Sequence, residues 1–257
     1  MRPAAPVIGV SLKMYFGQAP ARAWFDEVAA RVRVHDAVMD GAVELFITPT
    51  YLQVLPALEA FRGTPVRIGT QNVAAAQEGA FTGEVSAGEL AEVGATLAEI
   101  GHAERRRLFG ETDRDVAAKT RVCLANGIAP LLCIGEEREQ DPNAAADIAL
   151  GQLRAALADA EPGSVIVAYE PIWAIGASQP AGDDHVRTVV RALRDELESD
   201  PAREGSSIIY GGAAGPGLLT GLADDVDGVF LGRFAHDPDA LVSVLDEAAD
   251  LARRPAA

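Results

Sequence analysis

Short apolar runs and helix-like segments alternate eight times along this chain of 257 residues, and this alternation constrains the fold more than any other feature. The runs are rich in Val and Ile and continuously apolar, as expected of parallel strands that are covered on both faces. The predicted strands are Val7–Ser11, Val43–Thr48, Val66–Gln71, Thr96–Gly101, Ala129–Gly135, Val165–Tyr169, Ser207–Gly211 and Gly228–Gly232.

The segments between the runs have the spacing of amphipathic helices. Starting at Val186, apolar residues at offsets 0, 3, 4, 7 and 11 form one stripe along a predicted helix. Asp183 or Asp184 is predicted to cap the start of this helix. We therefore expect each strand to be followed by a helix that covers it.

Eight βα units in a chain of this length fit either a closed (β/α)8 barrel or an open, doubly wound sheet. No residues remain for a second domain, and no Gly-x-Gly-x-x-Gly follows the first strand, which disfavours a dinucleotide-binding fold. The sequence therefore predicts an α/β protein, a single (β/α)8 barrel, with one domain over residues 1–257.

Composition excludes several classes of partner. A formal net charge of −16 argues against nucleic acid or an anionic membrane surface, although it leaves a small anionic substrate open. No apolar run approaches the roughly 18 residues that span a bilayer, and no signal-peptide pattern precedes the first strand. Cys123 and Cys133 lack the spacing of metal ligands, so we expect two reduced thiols and a cytoplasmic protein.

Three polar residues follow predicted strands at the end where barrels of this kind place their active sites. Lys13 follows the first strand, His102 the fourth and Glu170 the sixth. The chain has only one other lysine, Lys119, on a predicted helix, so Lys13 is interpreted as a contact to an anionic substrate rather than a solvated strand-end charge.

His102 and Glu170 each allow two interpretations from position alone. His102 is either a neutral imidazole that polarises a carbonyl or a strand-end histidine satisfied by backbone. Glu170 is either a buried ion-pair partner or a general base, with Pro171 and Trp173 forming an apolar collar. The remaining histidines are predicted to lie on the surface: His35, His185 and His236.

Glycine-rich turns follow the last two strands. Gly211-Gly212 and Gly232 expose backbone N–H groups where barrels of this kind often bind phosphate. The small segment Ala174–Ser178, soon after Glu170, is either a lid over a ligand or an ordinary loop.

Several of these segments together resemble the triosephosphate isomerase family, whose fold is the TIM barrel. The resemblance covers the whole chain in order, and the Glu-Pro-Ile-Trp-Ala-Ile-Gly block is very specific. It is carried by Ile100–Arg106, Ala168–Gly176, Tyr210–Gly212, Gln71-Asn72 and Gly79–Glu84.

The resemblance implies a mechanism. Glu170 would remove a proton beside a carbonyl and return it to the neighbouring carbon, while neutral His102 would donate to the oxygens of the enediolate. Lys13 would supply fixed positive charge, and Glu104 would orient it. No metal or organic cofactor is implied. For the family's usual three-carbon substrate, a place in glycolysis and gluconeogenesis is expected.

The resemblance also implies a phosphate site on Gly176, Ala213, Gly232 and Arg233. Ala213 stands where the family usually has a serine, and Arg233 where it usually has a second glycine. Ser11, implied to lie beside the substrate, replaces the usual asparagine and leaves more space near the reacting carbons.

Three functions therefore stay open at this point. The first is interconversion of dihydroxyacetone phosphate and glyceraldehyde 3-phosphate. The second is interconversion of L-erythrulose 1-phosphate and D-erythrulose 4-phosphate, whose extra hydroxymethyl group needs the space beside Ser11. The third is a phosphosugar-binding protein without catalysis, against which the joint presence of Lys13, His102 and Glu170 argues.

The family resemblance implies a homodimer. The segment Asn72–Glu84, with Phe81 at its tip, would insert into the neighbouring subunit and place Thr82 near the partner's active site.

Overall fold

The computed structural model describes residues 5–177, 180–222 and 225–253. Eight parallel strands pair in chain order, and β8 pairs with β1 to close the barrel, which confirms the predicted (β/α)8 TIM barrel. The strands are β1 Val7–Ser11, β2 Glu44–Thr48, β3 Arg67–Thr70, β4 Leu97–Ile100, β5 Ala129–Ile134, β6 Ile166–Tyr169, β7 Ser207–Tyr210 and β8 Gly228–Leu231. The extension of one domain to residues 1 and 257 stays a prediction.

Helices surround the barrel and follow its strands. Those in the described ranges are α1 Gln18–Val32, α2 Asp36–Met39, α3 Val54–Ala60, α4 Ala87–Val93, α5 Ala103–Phe109, α6 Asp113–Ala125, α7 Pro142–Leu157, α8 Asp183–Ser199, α9 Leu218–Leu222 and α10 Pro238–Ala252. Short 3-10 turns are Tyr51–Gln53, Ile172–Ala174, Pro201–Arg203 and Arg233–His236. Within the described residues, no helix has the length and apolar character needed to cross a membrane.

Helix α8 shows how the sequence pattern becomes packing. Its predicted apolar stripe, which begins at Val186, is buried against the barrel along its whole length. The predicted aspartate cap is wrong, because the helix begins one residue earlier than such a cap requires. Gly182 occupies the cap position, and both Asp183 and Asp184 lie in the first turn. Their negative charges interact favourably there with the positive end of the helix dipole.

The barrel interior is filled by apolar side chains, so it is a packed core rather than a pore. The interior cluster consists of Val7, Phe46, Leu97, Leu131, Cys133, Ile166, Ala168, Ile209 and Phe230. Glycine allows close packing where the barrel closes: a Cβ at Gly228 would lie 1.7 Å from the carbonyl oxygen of Val7. Phe230 of this cluster also lines a cavity at the carboxyl ends of the strands.

We predict that Gly228→Ala lowers the free energy of unfolding by about 1–3 kcal/mol or more, because the backbone of β1 must move to admit the methyl group. Urea unfolding measures the change. The matched control is Gly151→Ala on the exposed face of α7, where a Cβ meets no atom within 4 Å. That control should raise stability by about 0.5–1 kcal/mol. Equal unfolding midpoints for Gly228→Ala and the wild type would contradict the prediction.

Candidate active site

One cavity of about 1130 Å³ opens at the carboxyl ends of the strands, and every site residue predicted from the sequence lines it. The barrel therefore brings together residues from β1 to the turn after β8. They are Ser11, Lys13, His102, Glu104, Glu170, Gly176, Ala213, Gly232 and Arg233.

Lys13 is held at the centre of this cavity by both its side chain and its backbone. Its ammonium group donates to Glu104 Oε1 at 3.2 Å, and its Nζ also lies 3.1 Å from His102 Nε2. Its backbone adopts the left-handed region, with φ of 47°, which costs a non-glycine residue about 1–3 kcal/mol. The Gln71 amide donates to the carbonyl oxygens of Lys13 and Thr48 at 3.0 and 2.9 Å and so fixes this conformation.

His102 caps the start of α5 and is neutral near pH 7. Its Nδ1 accepts a hydrogen bond from the backbone N–H of Glu104 at 3.1 Å, which assigns the ring proton to Nε2. Burial, followed by the positive charge of Lys13, lowers the pKa of His102 to about 4. Nε2–H therefore points a hydrogen-bond donor toward the region of Lys13 and the cavity.

Glu170 is buried at the end of β6. Burial, and after it the negative charge of Glu99, raises the pKa of Glu170 to about 8. The positive charge of Lys13 opposes this shift. Its Oε2 lies 3.7 Å from His102 Nε2 and has no hydrogen-bond partner among the described residues. Gly211 leaves room for this carboxylate, since a Cβ there would lie 2.6 Å from Glu170 Cγ.

Trp173 is expected from the sequence to form an apolar collar beside Glu170, but in the structure its indole makes a hydrogen bond to another carboxylate. The indole N–H of Trp173 donates to Glu136 at 2.7 Å, and Tyr169 Oη donates to the same carboxylate at 3.1 Å. His185 Nε2 lies 2.9 Å from Glu136, and its side chain is only 10% exposed, so its predicted surface position is wrong. Through the Glu136 carboxylate, these contacts connect the segment after β5 and helix α8 to Trp173, which directly precedes the expected lid.

The prediction also fails for His35, whose side chain is 11% exposed. It caps α2 through a hydrogen bond from the backbone of Val38. His236 is half-buried against Phe16. These histidines pack on neighbouring rings and helices, contacts that sequence spacing did not reveal.

Residues of the expected lid and of both glycine-rich turns line the cavity. Gly176 adopts the left-handed region, with φ of 72°, whereas Ser178 of the lid segment lies outside the described residues. A Cβ at Gly232 would meet no atom within 4 Å, so its backbone faces open space. The guanidinium of Arg233 lies over the ring of Tyr15 at 5.9 Å, and both residues line the cavity, so Arg233 adds positive charge there.

Sequence reasoning missed Glu99, a buried carboxylate of β4 beneath the cavity. Ser11 Oγ and Thr48 Oγ1 each donate to its Oε2 at 3.1 Å. Burial raises the pKa of Glu99 to about 7, while the charge of Lys13 and the two hydroxyl groups oppose that shift. The signal was present, because an acidic residue interrupts a strand that was interpreted as continuously apolar.

No cluster of three or more His, Cys, Asp or Glu side chains with the arrangement of a metal site occurs in residues 5–177, 180–222 and 225–253. The cysteines Cys123 and Cys133 are buried free thiols.

A closed (β/α)8 barrel with a basic carboxylate, a neutral histidine and a lysine at its strand ends defines an enzyme that moves protons on a small anionic molecule. The family model for triosephosphate isomerase matches residues 6–248, and the chain belongs to that family. It is a phosphosugar isomerase.

The relatives include enzymes named for two substrates. The chain is 44% identical over 245 residues to L-erythrulose-1-phosphate isomerase of Pectobacterium atrosepticum, covering 94% of this chain and 95% of the relative. It is 40% identical to the triosephosphate isomerase of Alcanivorax borkumensis, covering 81% and 87%. It is 36% identical to that of Symbiobacterium thermophilum, covering 97% and 99%.

Proposed function

We propose that the protein interconverts L-erythrulose 1-phosphate and D-erythrulose 4-phosphate through an enediolate. The observation that carries the choice of a four-carbon substrate is the orientation of Ser11, whose hydroxyl donates to buried Glu99 at 3.1 Å. The 44% identity to a relative named for L-erythrulose 1-phosphate supports the same choice.

Ser11 differs from an asparagine at this position in two ways. Its side chain is smaller, which leaves space in the cavity beside the reacting carbons. Its one hydroxyl proton is engaged by Glu99, so it has none to donate to a substrate carbonyl oxygen. A three-carbon substrate therefore loses a donor here, whereas a four-carbon substrate gains room for its hydroxymethyl group.

Glu170 acts as the base in this proposal. Its unpartnered Oε2 takes the proton from C3 of L-erythrulose 1-phosphate, and the electron pair of that C–H bond forms the enediolate with the C2 carbonyl. The same carboxyl group returns the proton to C2, which leaves the carbonyl at C3. A raised pKa makes Glu170 a stronger base once it is ionised.

His102 and Lys13 stabilise the enediolate. Neutral His102 donates from Nε2 to the two oxygens and moves a proton between them, since its other nitrogen is fixed by α5. Lys13 contributes positive charge at 3.1 Å from that donor, and Glu104 holds Lys13 in place at 3.2 Å.

The phosphate group is assigned to the glycine-rich turns and the lid segment that line the cavity. Backbone N–H groups of Gly176, Ala213 and Gly232 are the proposed donors, and Arg233 supplies charge. Closure of the segment that contains Gly176 would keep water from the enediolate.

The triose phosphates are the second candidate, because relatives named for them match most of this chain. That substrate would place the enzyme in glycolysis and gluconeogenesis, whereas a four-carbon substrate would place it in another part of carbohydrate metabolism. The two buried free thiols fit a reducing cytoplasm, which is the proposed location.

A homodimer is proposed from exposed apolar residues next to Lys13 and on the long segment after β3. Met14, next to Lys13, is 92% exposed, and Phe81 is 53% exposed at the tip of the long segment after β3. Thr82 beside it is exposed as well. A second subunit would cover these side chains and bring Thr82 toward the partner's active site.

The first prediction concerns pH and the base. With the pKa of Glu170 near 8, the protonated, inactive form dominates below that pH, so kcat/KM should fall about tenfold per pH unit on the acid side. Glu170→Gln should keep the fold and lose at least about 10²–10⁴-fold in kcat. Near wild-type turnover in Glu170→Gln would remove the base assignment.

The second prediction decides the substrate. The wild type should have a higher kcat/KM for L-erythrulose 1-phosphate than for dihydroxyacetone phosphate. Ser11→Asn should shift that ratio toward the triose by about 5- to 150-fold, because the larger amide fills the space and restores a donor. Steady-state kinetics of both enzymes on both substrates measure it. A wild type that strongly prefers dihydroxyacetone phosphate makes the triose phosphates the substrate.

The third prediction concerns assembly. Light scattering at micromolar concentration should give the mass of a dimer or larger oligomer of the 26.9 kDa chain. Phe81→Asp should weaken association, because it places a charge in the proposed apolar contact. Leu55→Asp on the exposed face of α3 is the matched control, since Leu55 is 61% exposed outside the proposed contact. A monomeric wild type with full activity would contradict the assembly.

A further inference from the structure

Three polar side chains from different strands meet beside the cavity, and one of them, Ser11, lines it. Ser11 of β1 and Thr48 of β2 are register partners, and Glu99 of β4 lies across from them. Both hydroxyl groups donate to the same oxygen of Glu99, Oε2. Glu99 is only 3% exposed, so these hydrogen bonds hold its carboxyl group inside the barrel.

This arrangement fixes the direction of the Ser11 hydroxyl. Serine has one proton to donate, and Glu99 receives it, so only the lone pairs of Ser11 Oγ remain for the cavity that Ser11 lines. Above the pKa of Glu99 of about 7 the carboxylate is ionised and can only accept, so it keeps the Ser11 hydroxyl in this direction. Thr48 shares the carboxylate but does not line the cavity.

We propose that Ser11, fixed as an acceptor by Glu99, binds the terminal hydroxyl of a four-carbon ketose phosphate, so that Glu99 is a positioning residue for substrate length. The proposal rests on the proposed function. A four-carbon substrate carries a hydroxymethyl group beyond the reacting carbons, and its O–H is a donor that needs an acceptor once it is buried. Lys13 and His102 offer donors and do not meet that need.

If Glu99 acted only through its charge, its removal would change the pH profile and not the ratio of the two kcat/KM values. The charge of Glu99 is one cause of the raised pKa of Glu170. Removing that charge would move the acid side of the pH profile downward for both substrates alike. It would not change the ratio of their kcat/KM values at a pH where Glu170 is fully ionised. The substrate ratio therefore distinguishes positioning from electrostatics.

The experiment compares Ser11→Ala, Glu99→Leu and the double variant at a pH above the acid limb. For each, kcat/KM is measured on L-erythrulose 1-phosphate and on dihydroxyacetone phosphate. Each single variant should lower the four-carbon to three-carbon ratio by about 10- to 100-fold. The double variant should lower it no further than Ser11→Ala does, because Glu99 acts through Ser11.

Two further variants separate positioning from loss of structure. Glu99→Gln keeps an acceptor oxygen for Ser11, so it should retain most of the ratio while the pH profile moves. Thr48→Val removes the other hydroxyl on Glu99 and should retain the wild-type ratio. Thermal unfolding shows whether each variant folds, and Ser11→Ala decides the proposal by itself if Glu99→Leu does not fold.

The outcomes separate this inference from the proposed function. A wild type that does not turn over L-erythrulose 1-phosphate overturns both. A wild type that prefers the four-carbon substrate, with an unchanged ratio in Ser11→Ala or additive losses in the double variant, overturns only the role of Ser11 and Glu99. A loss of ratio in Thr48→Val equal to that in Glu99→Leu also overturns it.

Discussion

Closure of the parallel barrel between β8 and β1 is the constraint on which the site depends. Val7 pairs with Gly228, and the two backbones lie so close that position 228 has no room for a Cβ. Once the ring is closed, the carboxyl ends of strands that are distant in sequence share one edge. Lys13 thereby reaches His102 across 89 residues, and Glu170 lies 3.7 Å from the same ring.

Burial at that edge then sets the protonation of Glu170 and His102. Removal from water disfavours the charged form of each residue, so it raises the pKa of Glu170 to about 8 and lowers that of His102 to about 4. One environment thus supplies a strong base and a neutral donor. Lys13 is part of this balance, because its charge lowers both pKa values.

Glu99 affects two other residues of the site, Glu170 and Ser11. A second carboxylate beneath the cavity raises the pKa of Glu170 further and is stabilised by two hydroxyl groups and by Lys13. Burying the Glu99 carboxylate without hydrogen-bond donors would cost free energy, so the hydroxyl groups of Ser11 and Thr48 stabilise it. The same hydrogen bonds orient Ser11, which links the packing of the barrel interior to the substrate specificity proposed above.

The sequence by itself determined the (β/α)8 barrel, because the alternation of apolar runs and helical segments is a local property of the chain. Strand-end positions and the family resemblance predicted nine site residues, and all nine line the cavity. Tertiary structure alone decided which groups face each other. The cap of α8, the burial of His185 and the bond of Trp173 to Glu136 depend on neighbours from other elements. The same is true of Ser11, since its hydroxyl direction is set by a carboxylate 88 residues away.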